Sequence, residues 1–168
     1  MGKEKLISLD LSTKASGVAM WENGKYKSSA VINCENEKDV DVRIRYMSKE
    51  LWKYLDYYSP DVVYAEDTYC HGNPEVQKKL NRIQGVVYAW CIQHDAEFHL
   101  LMPSAWRKYI PEFPNYRTKR EEQKKFSVNY VRKNYGFEPV TDDQSDAICL
   151  GEAAICIMNE KDILHRRW

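Results

Sequence analysis

The sequence predicts an α/β fold in which a mixed five-stranded sheet is flanked by helices. Three observations predict it. The N-terminal part carries alternating apolar runs joined by Asn23-Gly24, which is a strong hairpin signal. Later apolar runs such as residues 62–65 are short and continuous, as in a buried parallel strand. Longer segments with helical spacing separate these runs, and helical crossovers are what parallel strands need.

The N-terminal part predicts three antiparallel strands. Asp10 lies inside the first of them, where aspartate is a poor strand former and is costly to bury unless it is paired or metal-bound. We therefore expect Asp10 to serve chemistry. The predicted strands cover about residues 6–12, 17–22 and 25–33.

The middle of the chain predicts a helix over about 39–58, ended by Pro60, and a fourth strand that ends at Glu66. Asn73 and Pro74 then open a second helix that runs to about residue 94, with asparagine as N-cap and proline at the first position. The elements predicted after it are a strand over 97–101, a short helix over 103–108, a basic helix over 119–134 ended by Gly136, and a last helix from about 141 to 159.

The composition indicates a globular protein, with 43% hydrophobic and 30% charged residues. At 168 residues the chain predicts a single domain over 1–168. We expect an intracellular, cytoplasmic protein, since the sequence shows neither a signal-peptide pattern nor a long apolar span. No CxxC pair occurs, so the cysteines are expected to be reduced and mostly buried.

The charge is unevenly distributed, although the net charge is zero. Residues 103–135 contain nine basic residues and three acidic ones, and Lys78, Lys79 and Arg82 form a smaller basic stretch. A basic face suits phosphate binding, because neutralised phosphates release counter-ions. The alternative is a solvated helix face.

Four carboxylates on three elements are candidate metal ligands. Glu66 ends a predicted parallel strand, where functional residues gather, and Asp143 and Asp146 share one face of the last helix. Together with Asp10 they would raise one another's pKa unless a divalent cation, Mg²⁺ first, neutralised them. Two such ions ~3.5–4 Å apart can activate a water and stabilise a leaving oxygen. Taken singly, Asp142 or Asp143 also suits a helix N-cap.

Asp67 is the acidic neighbour of Glu66 in the sequence. Side-chain alternation along a strand predicts that it points away from Glu66. We therefore expect Asp67 to support the site indirectly at most.

These segments together resemble the RuvC family of Holliday-junction resolvases, which has the RNase H-like fold. The resemblance lies in residues 7–17 around Asp10, 64–69 around Glu66, 79–87 around Gly85, and Asp143-Gln-Ser-Asp146. It spans nearly the whole chain. The segment Pro-Ser-Ala-Trp-Arg-Lys over 103–108 is similar to the bacteriophage branch, which would place the protein in a host cytoplasm. The resemblance implies a structure-selective endodeoxyribonuclease that cuts branched DNA in pairs of symmetric nicks.

The resemblance also implies roles for single residues. Asp10, Glu66, Asp143 and Asp146 would hold two Mg²⁺ ions, with Mn²⁺ as a substitute. Lys124 best matches the cation that offsets charge on the scissile phosphate, while Lys125, Arg107 and Lys108 stay open as candidates. Tyr69 falls where the family carries an aromatic at the DNA surface; a half-buried loop aromatic is the alternative. The further DNA-binding residues expected are Lys78, Lys79, Arg82, Arg107, Lys108, Lys119, Arg120 and Lys125.

The second helix is apolar around much of its circumference after Gly85. The resemblance implies that it pairs across the two-fold axis of a homodimer, and two equivalent sites suit two related cuts. The alternative is a helix buried in its own domain.

Three other functions fit parts of the same pattern. The segment Asp-Leu-Ser-Thr-Lys from Asp10 also suits a sugar-kinase or chaperone-type ATPase, but that class needs two lobes around its nucleotide. A catalytically idle nucleic-acid-binding module would have lost a ligand, and all four carboxylates are present. A ribonuclease acting on RNA–DNA hybrids would use the same carboxylates and is the alternative within the nucleases.

Overall fold

The computed structural model describes residues 4–67, 73–114 and 118–165, with side chains described as far as residue 160. Within those ranges the chain forms five strands and five α-helices, and a 3₁₀ turn follows the short third helix. The strands are β1 Lys5–Asp10, β2 Ala15–Glu22, β3 Lys25–Asn33, β4 Val62–Glu66 and β5 Glu97–Leu101. The helices are α1 Val40–Tyr58, α2 Pro74–Gln93, α3 Pro103–Trp106, α4 Arg120–Tyr135 and α5 Asp142–His165.

The strands form one mixed sheet in the order β3-β2-β1-β4-β5. The first three strands pair antiparallel, and β1 pairs parallel with β4 as β4 does with β5. The predicted mixed five-stranded sheet with helical crossovers is therefore confirmed. The prediction of a single domain over the whole chain stays a prediction.

The alternation of β1 and β4 divides the sheet into two faces. Ile7 and Leu9 belong to the core on one side, which α1 and α2 cover, whereas Leu6 belongs to the core under α5. On β4, Val63 faces the first core and Tyr64 the second. Because side chains along a strand alternate between faces, every second residue of β1 and β4 is committed to the same side. We call these the α1–α2 face and the α5 face.

The α1–α2 face is closed by apolar packing. Met47, Leu51 and Leu55 of α1 are almost completely buried there, and α2 adds Ile83 and Val87. Burying each such side chain contributes roughly 1.5–3 kcal/mol relative to exposure. This face therefore holds the sheet mainly by the burial of apolar side chains.

The α5 face contains buried polar groups beneath a tightly packed helix. The Ser8 hydroxyl donates to the carbonyl of Ala147 on α5 (2.7 Å) and accepts from the Trp21 indole (3.1 Å). Gly151 permits this approach, since a Cβ there would lie 2.1 Å from Trp21 Nε1 and 2.5 Å from Ser8 Oγ. Helix α4 packs against α5 from outside. The position of α5 is thus fixed by close contact and by hydrogen bonds satisfied inside the core.

Several local signals act as the sequence predicts. Asn73 caps α2 by accepting from Val76 N (3.3 Å), with Pro74 at the first helical position. Gly136 ends α4 with φ at 73°, in the left-handed region that glycine adopts readily. Asn23 and Gly24 both have positive φ in the β2–β3 turn. These caps and turns depend on neighbouring residues alone, which is why local sequence predicts them.

Several predicted boundaries are wrong, among them the start of β2, which begins at Ala15 and not at residue 17. The strand β1 ends at Asp10 instead of continuing to residue 12, so Asp10 lies at the carboxyl end of the strand and not at its centre. Helix α5 continues to His165, past the predicted end near 159. The strand β1 ends at Asp10 because the chain after it turns back to pair as β2. No helix among the described residues is long and apolar enough to cross a membrane.

Candidate active site

Asp10 and Glu66 lie side by side at the carboxyl ends of two neighbouring parallel strands. The register pairs Leu9 with Ala65, so the next residues on each strand are these two acids. Both continue the alternation that points Leu6, Ser8 and Tyr64 toward α5. Two carboxylates from distant parts of the sequence therefore meet under the first turn of α5.

The first turn of α5 supplies the other two predicted ligands, Asp143 and Asp146. Thr141 caps this helix, because its hydroxyl accepts from Gln144 N at 3.2 Å, so neither Asp142 nor Asp143 is the N-cap. The Gln144 side chain in turn donates to Ser29 Oγ on β3 (2.8 Å). Because the capping role is taken by threonine, both aspartates are left to face the sheet edge.

Gly17 decides how closely α5 approaches Asp10. It is the antiparallel partner of Asp10 on β2, and a Cβ built on it would lie 1.9 Å from the carbonyl oxygen of Asp143. No larger residue fits without moving the helix. The backbone contact of Gly17 with Asp143 thus joins the strand carrying one carboxylate to the helix carrying two.

The four carboxylates raise one another's pKa. Burial raises the pKa of Asp10 well above its usual range, and the charges of Glu66, Asp146 and Asp143 raise it further. Burial likewise raises the pKa of Asp146 to about 7 and that of Asp143 to about 6, with neighbouring aspartates adding to both. Burial raises the pKa of Glu66 too, against the opposing effect of a hydrogen bond from Trp106 and the charges of Arg107 and Arg120. A cluster of this kind favours a positive charge between its members.

These residues fit a hard divalent cation. Asp146 is 9% exposed, and its Oδ1 is buried without a hydrogen-bond partner. An acceptor-only oxygen of this kind is costly to bury unless a cation or a donor meets it. The donor set consists of carboxylates, which Mg²⁺, Ca²⁺ and Mn²⁺ prefer. In the described ranges the acids do not form a compact group of three or more metal ligands; they line a shared cleft of about 990 Å³.

Basic residues line the same cleft. Lys124 forms an ion pair with Asp142, which raises the pKa of the lysine. The Arg107 guanidinium lies over the ring of Trp106, 5.1 Å from its centroid, and donates to Gln123 Oε1 at 2.9 Å. The predicted site residues that the structure places in this cleft are Asp10, Glu66, Asp143, Asp146, Lys124, Lys79, Arg107 and Arg120.

The other predicted DNA-binding residues lie elsewhere on the described surface. Lys78 pairs with Glu75, and Arg82 pairs with Asp41, both through exposed side chains. Lys108, Lys119 and Lys125 are exposed and do not contribute to the lining of the cleft. Tyr69 lies outside the residues that the structure describes. The roles of all these residues stay predictions.

Sequence reasoning missed several residues of the cleft. Asp67 was expected to point away, but it contributes to the lining, because β4 ends at Glu66 and strand alternation does not extend past that end. Lys14 and Arg43 also line the cleft, from the β1–β2 turn and from α1. Sequence reasoning considers Asp142 only as a helix cap and Trp106 only as part of the segment 103–108, whereas the structure pairs them with Lys124 and with Glu66. The adjacency of Asp142 to Asp143, and of Trp106 to Arg107, is the signal that could have indicated these roles.

The fold and the site together define a class: an α/β protein whose sheet edge gathers four carboxylates and several cations in one open cleft. A family model described as crossover junction endodeoxyribonuclease RuvC matches residues 9–156. The chain therefore belongs to the RuvC family, and the predicted RNase H-like fold and enzyme class are confirmed.

Individual relatives agree with this assignment. Crossover junction endodeoxyribonuclease RuvC of Dictyoglomus turgidum is 24% identical over 149 residues, which cover 86% of this chain and 92% of that protein. The RuvC of Dictyoglomus thermophilum is 27% identical over 108 residues, covering 64% and 66%. The bacteriophage affiliation stays a prediction.

Solved structures share the fold at low sequence identity. Thermus thermophilus RuvC in complex with a Holliday junction substrate matches with a TM-score of 0.70 and 12% identity, covering 90% of this chain and 93% of that one. The yeast mitochondrial Holliday junction resolvase Ydc2 matches with a TM-score of 0.56 and 17% identity, covering 90% and 78%.

Proposed function

We propose that this protein is a Mg²⁺-dependent endonuclease that resolves Holliday junctions and related branched DNA by paired, symmetric cleavage. One observation carries the proposal: four carboxylates from β1, β4 and α5 line a single cleft, and positive charges from α4 and from Arg107, just after α3, line the same cleft. The family assignment supports the reaction class. The junction named for the Thermus complex supports the substrate.

In the proposed mechanism Asp10, Glu66, Asp143 and Asp146 hold two divalent ions. When bound, such ions activate the attacking water and stabilise the leaving oxygen of an in-line displacement. Asp10 lies beside Glu66 at the sheet edge and is paired with Gly17, which contacts the backbone of Asp143, so Asp10 would be a ligand next to both the strand and the helix carboxylates. Lys124 and Arg107 flank the carboxylates and would stabilise negative charge that grows on the scissile phosphate.

The distribution of cations in the cleft supports a path for the DNA backbone. Arg107, Arg120 and Lys124 line the cleft from the side of α3 and α4, whereas Lys79 and Arg43 line it from α2 and α1. Phosphates entering between them would meet positive charge on both sides. Such contacts set the affinity and position of DNA without reading its sequence.

We also propose a homodimer formed through α2. Ile83, Val87 and Trp90 face the core of their own chain, but Tyr88 and Ile92 on the other side of the helix are 53% and 66% exposed. The helix is thus buried on one face only. An Ile92→Glu variant should sediment as a monomer while the wild-type protein sediments as a dimer; identical sedimentation of both would contradict this interface.

The function is tested with a synthetic four-way junction, a linear duplex and an RNA–DNA hybrid, each incubated with Mg²⁺, Mn²⁺ or EDTA. We expect paired symmetric nicks in the junction alone, abolished by EDTA. Asp10→Asn removes a proposed metal ligand itself, so it should lower the cleavage rate by more than roughly 100-fold. Losing only a hydrogen-bond partner of such a ligand typically costs up to about that much. Asp95→Asn is the matched control, since Asp95 is exposed in the turn between α2 and β5.

Three results would contradict the proposal. Cleavage of the hybrid alone would assign the protein to ribonucleases of the same fold. Junction binding without cleavage at any metal concentration would indicate an idle binding module. If Asp10→Asn cleaved the junction at the wild-type rate, the carboxylate cluster would have no part in the mechanism.

A further inference from the structure

Trp106 is a completely buried residue whose one polar atom meets a proposed metal ligand. Its side chain is 0% exposed, and its indole Nε1 donates to Glu66 Oε2 at 2.8 Å. The contact spans 40 residues of sequence. It is possible because β4 and β5 are parallel and in register, with Glu66 beside Leu101, so that α3 begins just beyond the end of β4.

The indole is itself held on several sides. The ring of Phe113 meets it edge-on, with centroids 5.5 Å apart, and the Arg107 guanidinium lies over it on the side of the cleft. Arg107 also lies 5.3 Å from the centroid of Phe113 and donates to Gln123 on α4. An aromatic ring packed in this way keeps a single orientation, because any rotation would open a cavity in a dense core.

The hydrogen bond distinguishes the two oxygens of Glu66. Oε2 accepts from a rigid donor, which restricts the rotation of the carboxylate and so the direction of Oε1. Donors of this kind orient metal-binding carboxylates, and their loss typically costs 10–100-fold in metal affinity. We propose that Trp106 is the positioning residue for Glu66, holding its carboxylate in the orientation that binds the divalent ion. This inference rests on the proposed function, since it takes Glu66 as a metal ligand.

The chain contains a matched control for this interaction. Trp90 is 1% exposed, and its indole Nε1 donates to Asp56 Oδ1 at 2.7 Å. Asp56 lies on α1, and neither residue contributes to the lining of the cleft. Replacing either tryptophan by phenylalanine therefore removes one hydrogen bond from a buried indole to a carboxylate, but only one of the two carboxylates belongs to the proposed site.

The test compares Trp106→Phe and Trp90→Phe with the wild-type protein. Binding of Mn²⁺ is measured directly from the electron paramagnetic resonance signal of the free ion, and unfolding temperature is measured with and without Mn²⁺. We expect Trp106→Phe to bind Mn²⁺ roughly 10-fold to 100-fold more weakly. Its junction cleavage should need correspondingly more Mn²⁺ and should recover in part at saturation. Trp90→Phe should match the wild type in both.

A second variant separates the hydrogen bond from the packing. Benzothienylalanine at position 106 keeps a bicyclic ring of nearly the same shape but carries sulfur in place of the N–H. It should retain the metal-free unfolding temperature and still show the weaker Mn²⁺ binding.

The outcomes separate this inference from the function on which it rests. Suppose that the wild-type protein binds Mn²⁺ and cleaves the junction, and that both position-106 variants bind Mn²⁺ as tightly as the wild type does. The positioning role is then wrong and the function stands. If Trp90→Phe weakens Mn²⁺ binding as much as Trp106→Phe, the effect is a general loss of stability and the role is again wrong. If the wild-type protein neither binds Mn²⁺ nor cleaves, the function fails and the role fails with it.

Discussion

The same strands build both faces of the sheet, but the side chains that they present to the two faces differ in polarity. On the α1–α2 face, β1 and β4 present Ile7, Leu9 and Val63 to apolar helices. On the α5 face, the alternate positions present a serine to a carbonyl of α5 and end in Asp10 and Glu66. The carboxylates therefore lie at the edge of the α5 face, whose buried serine and tryptophan already have hydrogen-bond partners inside the core.

Because of this difference, we expect the two faces to contribute unequally to the stability and to the activity of the protein. Apolar burial on the α1–α2 face is insensitive to charge and pH, whereas the α5 face contains carboxylates whose mutual repulsion opposes folding. Functional sites commonly hold such unfavourable arrangements, and the rest of the structure must offset them. Changes on the α5 face should thus alter activity more than stability, and changes on the α1–α2 face should do the reverse.

After Asp10→Asn, the largest effect on activity is expected from the cations beside α5. Lys124→Gln should lower the rate of junction cleavage by roughly 10²-fold, because a cation that stabilises transition-state charge would be lost. Lys133→Gln is the matched control, since Lys133 also lies on α4 but is exposed and outside the cleft lining. Single-turnover cleavage rates measure both. Equal losses in the two variants would show that Lys124 acts through overall charge and not through its place beside Asp142.

The next effect compares packing on the two faces. Gly17→Ala should push the first turn of α5 away from Asp10, lowering cleavage and destabilising the protein by about 1–3 kcal/mol. Leu51→Ala, in the core of the α1–α2 face, should destabilise by about 2–5 kcal/mol but leave the rate per folded molecule nearly unchanged. Urea unfolding and single-turnover rates measure the two quantities. A larger loss of cleavage rate in Leu51→Ala than in Gly17→Ala would contradict the expected difference between the two faces.

The smallest effect concerns pH. Asp146 and Asp143 have a pKa of about 7 and about 6 in the folded protein, above the value of ~3.9 for an unfolded chain. The native state therefore binds protons that the unfolded state does not, and the free energy of unfolding should rise as pH falls through the folded pKa values. In metal-free buffer we expect a rise on the order of 1–3 kcal/mol between about pH 8 and pH 5.5.

Two controls accompany the pH experiment. Mg²⁺ should reduce the rise, because a ligand that binds only the native state stabilises the protein most where the carboxylates are charged. The double variant Asp143→Asn with Asp146→Asn should abolish most of it. A stability that stays flat, or that falls over the same interval in the wild-type protein, would argue against repulsion within the cluster.

The lysines of α4 show how far local sequence could go. The family resemblance selected Lys124 and left Lys125, Arg107 and Lys108 as alternatives. Helical geometry places the side chains of Lys124 and Lys125 on different sides of α4, and only Lys124 of these two lines the cleft. Asp67 shows the opposite case, since alternation was applied beyond the end of the strand that justified it. Rules based on a repeating backbone fail at the point where the repeat stops.

The sequence by itself determined the order of the elements, their caps and turns, and the alternation that commits Asp10 and Glu66 to one face. These features depend on residues a few positions apart, and local backbone geometry is enough to specify them. Tertiary structure alone decided how close the elements come. The contact of Gly17 with Asp143 and the hydrogen bond from Trp106 to Glu66 join distant segments, and they exist because the packing of whole helices on the sheet brings those atoms together.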